Sequence, residues 1–142
     1  MRILILGAKG NLGQALVKVF EKDNDVIPWD RGEIDITDND LIKKKIKELK
    51  PEIIINAAAY NAVDKCETDE KEFELAKKIN GEAVGYLAEA ALEVSAPLVH
   101  YSTDYVFDGK KKRGYKEDAR AHPISKYGET KLAGERALIA LS

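Results

Sequence analysis

The chain contains a single cysteine, Cys66, which excludes an internal disulfide and suits a reducing compartment. Long apolar runs are missing too. Ile3-Leu4-Ile5-Leu6, directly after Met1-Arg2, is too short for a membrane span or for the core of a secretory leader. These absences predict a cytoplasmic protein with no membrane partner. Neither charge sign is in large excess: the net charge of −2 leaves no electrostatic footprint for nucleic acid. The short basic run Lys110-Lys111-Lys112-Arg113 beside Gly109 reads as a solvated loop. The two histidines, His100 and His122, lack metal-ligand spacing, so structural roles and no metal site are expected. Cys66 has no histidine near it in sequence and reads as a small buried side chain rather than a nucleophile. Repeats, low-complexity tracts and interdomain linkers are absent as well.

What is present is enough for one domain spanning residues 1–142, since 142 residues at 44% hydrophobic content can bury a single core. Short apolar runs alternate with stretches of helical period. Ile3–Leu6 reads as a buried strand, followed by Leu12, Leu16, Val17 and Phe20 at helical spacing. Asp25–Trp29 reads as a second strand and Ile34-Asp35-Ile36 as a short third. A helix capped at Thr37-Asp38 is expected over 39–49, ending before Pro51. Ile53-Ile54-Ile55 is the next strand, followed by a long helix over 70–94 that Gly81 and Gly85 could interrupt or bend. Leu98–Tyr101 is expected as the last strand, Asp104–His122 as a polar loop or lid, and a final helix from Ile124-Ser125 to the chain end. Strands alternating with helices imply right-handed crossovers and a doubly wound parallel α/β sheet.

The turn after the first strand reads Gly7-Ala8-Lys9-Gly10-Asn11-Leu12-Gly13 and opens the first helix. Glycines at this spacing allow a tight turn, let a pyrophosphate approach backbone N–H groups, and leave the positive end of the helix dipole facing the anion. Gly7, Lys9, Gly10, Asn11, Leu12 and Gly13 are therefore candidate dinucleotide contacts, in a Rossmann-like NAD(P)-binding domain. Asp30 closes the second strand where a ribose-binding acid is expected. Its carboxylate favours the 2′,3′-diol of NAD(H), whereas Lys9 and Arg31 could neutralise the 2′-phosphate of NADP(H). Either cofactor is compatible with these charges.

Tyr127 and Lys131 stand four apart at the start of the last helix and so share one face. An ammonium beside a phenol favours phenolate, so the pair predicts a phenol of lowered pKa that exchanges protons at working pH. Ser102-Thr103 lies at the carboxyl end of a strand, the edge where open α/β sheets bind ligands, and a hydroxyl there can bond a carbonyl oxygen.

Glycine turn, strand-end hydroxyl and Tyr/Lys pair, in this order, resemble the extended short-chain dehydrogenase/reductases. The resemblance narrows with Asn56-Ala57-Ala58-Ala59-Tyr60, then Ala62-Val63-Asp64-Lys65-Cys66-Glu67, Ser102-Thr103-Asp104-Tyr105-Val106-Phe107-Asp108-Gly109 and Tyr127-Gly128-Glu129-Thr130-Lys131-Leu132-Ala133-Gly134-Glu135. With Asp35-Ile36-Thr37-Asp38, these segments are similar to the dTDP-4-dehydrorhamnose reductase family. That resemblance implies a catalytic triad of Thr103, Tyr127 and Lys131. A reduced nicotinamide would give hydride to the C4 ketone of dTDP-6-deoxy-L-lyxo-4-hexulose, and Tyr127 the proton, yielding dTDP-L-rhamnose. It also implies that Tyr127 and Lys131 contact the cofactor, Lys131 at the nicotinamide ribose, that Thr103 orients the keto oxygen, and that Asp35 and Ile36 flank the adenine. Ala57, Ala58, Ala59 and Tyr60 would border the cofactor, with Asp64 and Lys65 in the loop nearest the sugar nucleotide.

Members of that family continue into a smaller substrate-binding domain, so the resemblance implies the cofactor-binding half, with the substrate-binding half absent from this chain. Three readings stay open at this stage: an excised or engineered cofactor domain, a natural half whose complement is another chain, or an NAD(P)-binding regulatory protein. A nucleotide-sugar epimerase or dehydratase is the other enzymatic alternative, and homo-oligomerisation is possible.

Overall fold

The computed structural model of the protein describes residues 1–141. Four parallel strands form one sheet in the order β2-β1-β3-β4, where β1 is Arg2–Leu6, β2 Asp25–Trp29, β3 Ile53–Asn56 and β4 Leu98–His100. Strand β1 is central and buried over Ile3–Leu6, with Leu4 facing Ile27 on one side and Ile54 on the other. Its side chains alternate between two cores. Ile3 and Ile5 join Ala8 and Ile55 against Leu16, Val17 and Phe20 of α1, Asn11–Phe20. Leu4 and Leu6 join Ile42 and Ile46 of α2, Asn39–Leu49, and Leu87, Ala90 and Ala91 of α5, Ala83–Glu93. A sheet covered on both faces explains why these strands are continuous apolar runs rather than alternating ones. Pro28 sits in β2, an edge strand, where its missing N–H costs no ladder bond. From β1 the chain winds to β2 in one direction and to β3 and β4 in the other. A crevice therefore opens beyond the carboxyl ends of β1 and β3, as expected for a doubly wound fold.

The expected helices and strands hold with five differences, the last of them at the end of the final helix. Ile34-Asp35-Ile36 is not a strand: the amides of Glu33 and Ile34 return to the Asp30 carbonyl, and Asp35 accepts from both the N–H and the hydroxyl of Thr37. Local carboxylate bonds turn the chain there, and the apolar alternation drops Ile34 into the core and lays Ile36 partly buried against it. The polar segment Val63–Thr68 forms a short helix, α3, which the apolar pattern did not signal. The long helix is divided into α4, Glu70–Lys77, a π-helical turn, Lys78–Glu82, and α5. Strand β4 stops at His100, one residue early.

The last helix, α6, spans Lys126–Ile139, with Ser125 Oγ accepting from the Gly128 N–H at 3.0 Å. The expectation that it runs to the chain end fails at Ile139, and Ser142 lies outside the described residues. Gly81 lies in the π-helical turn that interrupts the long helix, where an interrupting glycine was expected, and Gly85 lies within α5. They face α6, where an added Cβ would stand 3.3 Å from Ala133 Cβ and 3.5 Å from Ala137 Cβ, so the two glycines let α6 lie close. The segment 104–122 is irregular apart from a 3-10 turn at Asp104–Val106. The Tyr115 ring stacks on Phe107 at 4.3 Å, and its hydroxyl donates to Asp108. Lys110, Lys111, Lys112 and Arg113 are all exposed, as a solvated loop requires. Among the described residues, no helix is long and apolar enough to cross a membrane.

Candidate functional site

The β1–α1 turn is built by glycines with distinct duties. Gly7 has φ +72°, and a Cβ there would lie 2.6 Å from the Ala58 amide nitrogen, so the turn can press against the end of β3 only without one. At Gly13 a Cβ would meet the Gly7 carbonyl oxygen at 2.2 Å. Gly10 differs: it is extended, φ −71° and ψ 164°, and a Cβ would approach only the Gly7 oxygen, at 3.3 Å. Gly10 is also the N-cap of α1, with no side-chain cap and no acidic residue in the first turn. The leading N–H groups of α1 are thus left for an anion, where the helix dipole favours one.

Asp30 stands at the edge of this turn. One carboxylate oxygen accepts the Lys9 N–H at 2.8 Å and the other the Arg31 N–H at 2.8 Å. These two backbone donors, Arg31 first and Lys9 second, hold its carboxyl below the usual range. Asp30 therefore clamps the turn to the end of β2, whatever its free lone pairs also bind. Lys9 and Asp30 border an open cleft of about 620 Å³ beside α1 and β2. Asp35 is committed to its own turn with Thr37, and Ile36 packs partly buried on the core.

A smaller cavity, about 150 Å³, opens at the carboxyl ends of β3 and β4 and contains the titratable groups. Leu12 borders it from α1. Asn56, Ala57, Ala58, Ala59 and Asn61 border it from the end of β3. Tyr101 and Ser102 follow β4, and Tyr127 and Lys131 come from α6. Of the predicted residues, the structure brings Leu12, Ala57, Ala58, Ala59, Tyr127 and Lys131 together here. It does not bring Thr103 or Tyr60. Thr103 caps the 3-10 turn, accepting from the Tyr105 N–H at 3.3 Å, while its neighbour Ser102 reaches the cavity and donates to Glu135. Tyr60 turns into a separate core with Cys66, Phe73, Ala76 and Tyr127, and its hydroxyl donates to Glu72, whose carboxylate pushes the phenol up to about 12.

The Tyr127 ring is 7% exposed and meets Tyr105 edge-on at 5.5 Å, and its hydroxyl donates to Asn61 Oδ1 at 3.4 Å. The expectation of a lowered phenol pKa is overturned. Burial pushes the phenol up, and Cys66, Tyr105 and Asp104 add in the same direction. The reason is geometric: the Lys131 ammonium points to the Tyr101 carbonyl, 2.6 Å away, and to His100 Nε2, 3.5 Å away. Lys131 is only 2% exposed, and burial lowers its pKa against the opposing pull of Glu135. His100 is pushed down to about 4, by burial first and then by the Lys131 charge.

Asn80, in the π-helical turn, holds this arrangement from behind. Its Oδ1 accepts the Tyr60 N–H at 2.9 Å, and its Nδ2 donates to the Tyr60 carbonyl and to Thr130 Oγ1. Thr130 in turn donates to the Tyr127 carbonyl at 2.7 Å. Asn56, Asn61, His100 and Asn80 were not singled out from sequence as site residues, and Ser102 was named only together with Thr103 as a strand-end hydroxyl. Asn80 carried a usable signal: it falls at helical spacing with Phe73, Ala76, Val84 and Leu87, an amide on a buried apolar face.

Over residues 1–142 the chain matches the family described as the RmlD substrate binding domain. The chain belongs to that family. It is 45% identical to a dTDP-4-dehydrorhamnose reductase of Aggregatibacter actinomycetemcomitans, over 99% of this chain and 48% of that protein. Its fold superposes on a solved dTDP-4-dehydrorhamnose reductase of Clostridium acetobutylicum with TM-score 0.94 and 45% identity, covering 100% of this chain and 50% of that one. A Bacillus anthracis dTDP-4-dehydrorhamnose reductase, solved in complex with NADP, gives TM-score 0.93 at 38% identity, over 99% of this chain and 49% of that one. The chain spans about half the length of these relatives.

Proposed function

We propose that this chain is the NAD(P)-binding part of a reductase that converts dTDP-6-deoxy-L-lyxo-4-hexulose to dTDP-L-rhamnose. The observation that carries the reading is the pairing, at one sheet edge, of an uncapped glycine turn with a buried Tyr127 hydroxyl and a buried Lys131. The residues fit a dinucleotide. A Cβ at Gly10, the N-cap of α1, would meet only the Gly7 carbonyl oxygen at 3.3 Å, so the space there is otherwise open to a ligand, and Ala57, Ala58 and Ala59 leave room beside the strand end.

In this reading Gly7, Gly10, Asn11, Leu12 and Gly13 hold the pyrophosphate. Asp30, with lone pairs left over from its two backbone bonds, meets the adenosine ribose; Lys9 and Arg31 stand beside it for a 2′-phosphate. A bound reduced nicotinamide supplies the hydride. Tyr127 donates the phenolic proton to the C4 oxygen, and its raised pKa keeps that proton in place at neutral pH. Asn61 orients the hydroxyl, and Lys131 supplies positive charge where the oxygen becomes anionic. The Thr103 hydroxyl donates to Asp104 Oδ1 at 3.3 Å and the Ser102 hydroxyl, which borders the cavity, donates to Glu135; either turns its O–H from that carboxylate to orient the ketone.

Titration with NADPH and with NADH, following nicotinamide fluorescence, tests the cofactor half of the reading. Saturable binding is expected, and its absence would sink the proposal. The chemical half is tested by NADPH oxidation with the dTDP-4-keto-6-deoxy sugar, with Tyr127→Phe as the control.

A further inference from the structure

Between the end of β4 and the 3-10 turn, the chain is held against α6 at three heights. Near the start of the helix, a Cβ on Gly128 would stand 2.3 Å from the Tyr105 carbonyl oxygen, so the missing side chain lets that backbone lie there. One turn on, the Lys131 ammonium donates to the Tyr101 carbonyl at 2.6 Å. A further turn on, the half-buried Glu135 carboxylate accepts from the Ser102 hydroxyl, a bond between groups 33 residues apart in sequence. Lys131 and Glu135 stand four apart, so both side chains leave one face of the helix. One bond takes a backbone oxygen and the other a side-chain hydroxyl, with donor and acceptor reversed. A carboxylate acceptor makes the Ser102 bond charge-assisted, roughly twice as strong as one between neutral groups. The neighbouring Thr103 hydroxyl, by contrast, bonds within its own turn, to Asp104 at 3.3 Å.

We propose that Glu135 is a positioning residue: by pinning Ser102 to α6 it keeps the strand exit in place, and with it the Tyr105 ring against the Tyr127 phenol. Tyr105 follows Ser102 by three residues and donates its N–H to Thr103 Oγ1. Its ring meets the buried Tyr127 ring edge-on at 5.5 Å, so the strand exit is one wall of the phenol's surroundings. Without the Ser102 bond, the Lys131–Tyr101 bond becomes a pivot about which the exit and the Tyr105 ring can turn. Tyr101, Ser102, Tyr127 and Lys131 border the cavity and Glu135 does not, so Glu135 acts through them. Its charge has a use as well: burial disfavours the Lys131 ammonium, and the Glu135 carboxylate opposes that effect. The inference rests on the reductase reading for the purpose of the phenol, but the pin itself is independent of any cofactor.

The test reads the Tyr105–Tyr127 ring contact through nuclear Overhauser cross-peaks in the full chain, with Tyr105→Leu assigning the signals. Amide hydrogen exchange at Tyr105 and Val106, which both bond to Thr103, reports on the strand exit beside it. In Glu135→Ala the ring cross-peaks should weaken, and these two amides should exchange roughly tenfold faster. Ser102→Ala should do the same, and the double variant no more, because both changes remove one bond. Glu135→Gln keeps an oxygen that accepts the hydroxyl, so it should restore most of the contact and the protection. The Ile3–Leu6 amides of β1 should keep their wild-type rates throughout, marking the loss as local. Unchanged cross-peaks and exchange in Glu135→Ala overturn the proposal, as do effects that add in the double variant. Loss of β1 protection in Glu135→Ala overturns it too, since the side chain then serves stability at large. NADPH titration of the wild type reports separately: no binding, with these ring and amide responses intact, sinks the reductase reading alone.

Discussion

A phenol buried without a cation against its oxygen is a proton donor that resists ionisation. Tyr127 is in that position, and Tyr127→Phe should leave nicotinamide fluorescence titrations unchanged while NADPH-dependent reduction falls by roughly 10²- to 10⁴-fold. His100 carries a second expectation. Its folded value, about 4, lies below the ordinary 6.5, so the unfolded chain binds the extra proton. Stability is therefore full above pH 6.5 and is lost as pH falls toward 4, by up to about 3 kcal/mol. Urea unfolding at pH 7 and pH 4.5 measures the loss, and His100→Asn should flatten it; an unchanged pH slope would show the ring is not buried neutral. The depressed carboxylates of Asp30, Asp35 and Asp108 act below this window, since their ordinary value is already 3.8. At this scale the sequence was readable for residue type and spacing and mute on environment. Tyr127 and Lys131 were visible as a pair, but the carbonyl that captures Lys131 comes from Tyr101, and the phenol is packed against Cys66 and Tyr105. Those lie on other elements, and only packing brings them together.

Among the elements, the β1–α1 turn separates architecture from ligand space most cleanly. Gly7 and Gly13 are needed by the fold itself, because added atoms would strike backbone. Gly10→Val tests ligand space instead: its φ and ψ suit any residue, so thermal unfolding should shift by only a few degrees, about 1 kcal/mol. NADPH binding should nevertheless be lost, and equal affinity in variant and wild type would remove the turn from the site. This element was legible in advance because glycine spacing after an apolar strand constrains the backbone directly. The π-helical turn was legible only as an interruption at Gly81: its form was not, and within it Asn80 reaches both Tyr60 and Thr130 on other elements. Ile34-Asp35-Ile36 failed for the opposite reason: two alternating isoleucines look like a strand until Asp30 and Asp35 bend the chain around them.

Across the whole molecule, Asn80 joins the segment after β3 to α6, so it sets the width of the smaller cavity. Asn80→Ala would leave the Tyr60 N–H and carbonyl without their partner, in a site closed to water, and would remove the bond that the Thr130 hydroxyl accepts. A loss of about 2–4 kcal/mol in chemical unfolding is expected, together with weaker cofactor binding. Retained stability would mean water replaces the amide. Gly134→Ala should act by the same lever, because a Cβ there would stand 2.2 Å from the Asn80 carbonyl oxygen and force α6 outward. The strand order carries a consequence in time. With β1 pairing in parallel to both β2 and β3, no two neighbouring strands can join through a tight hairpin. Each pairing must wait for the intervening helix and the closure of a long stretch of chain. The residues around the smaller cavity come from α1, the end of β3, the end of β4 and α6, so the cavity exists only once the last of these crossovers has docked. Refolding watched through tryptophan and through added NADPH should then diverge: Trp29, on the first pair of strands, reports early, and the nicotinamide signal returns in the slowest phase.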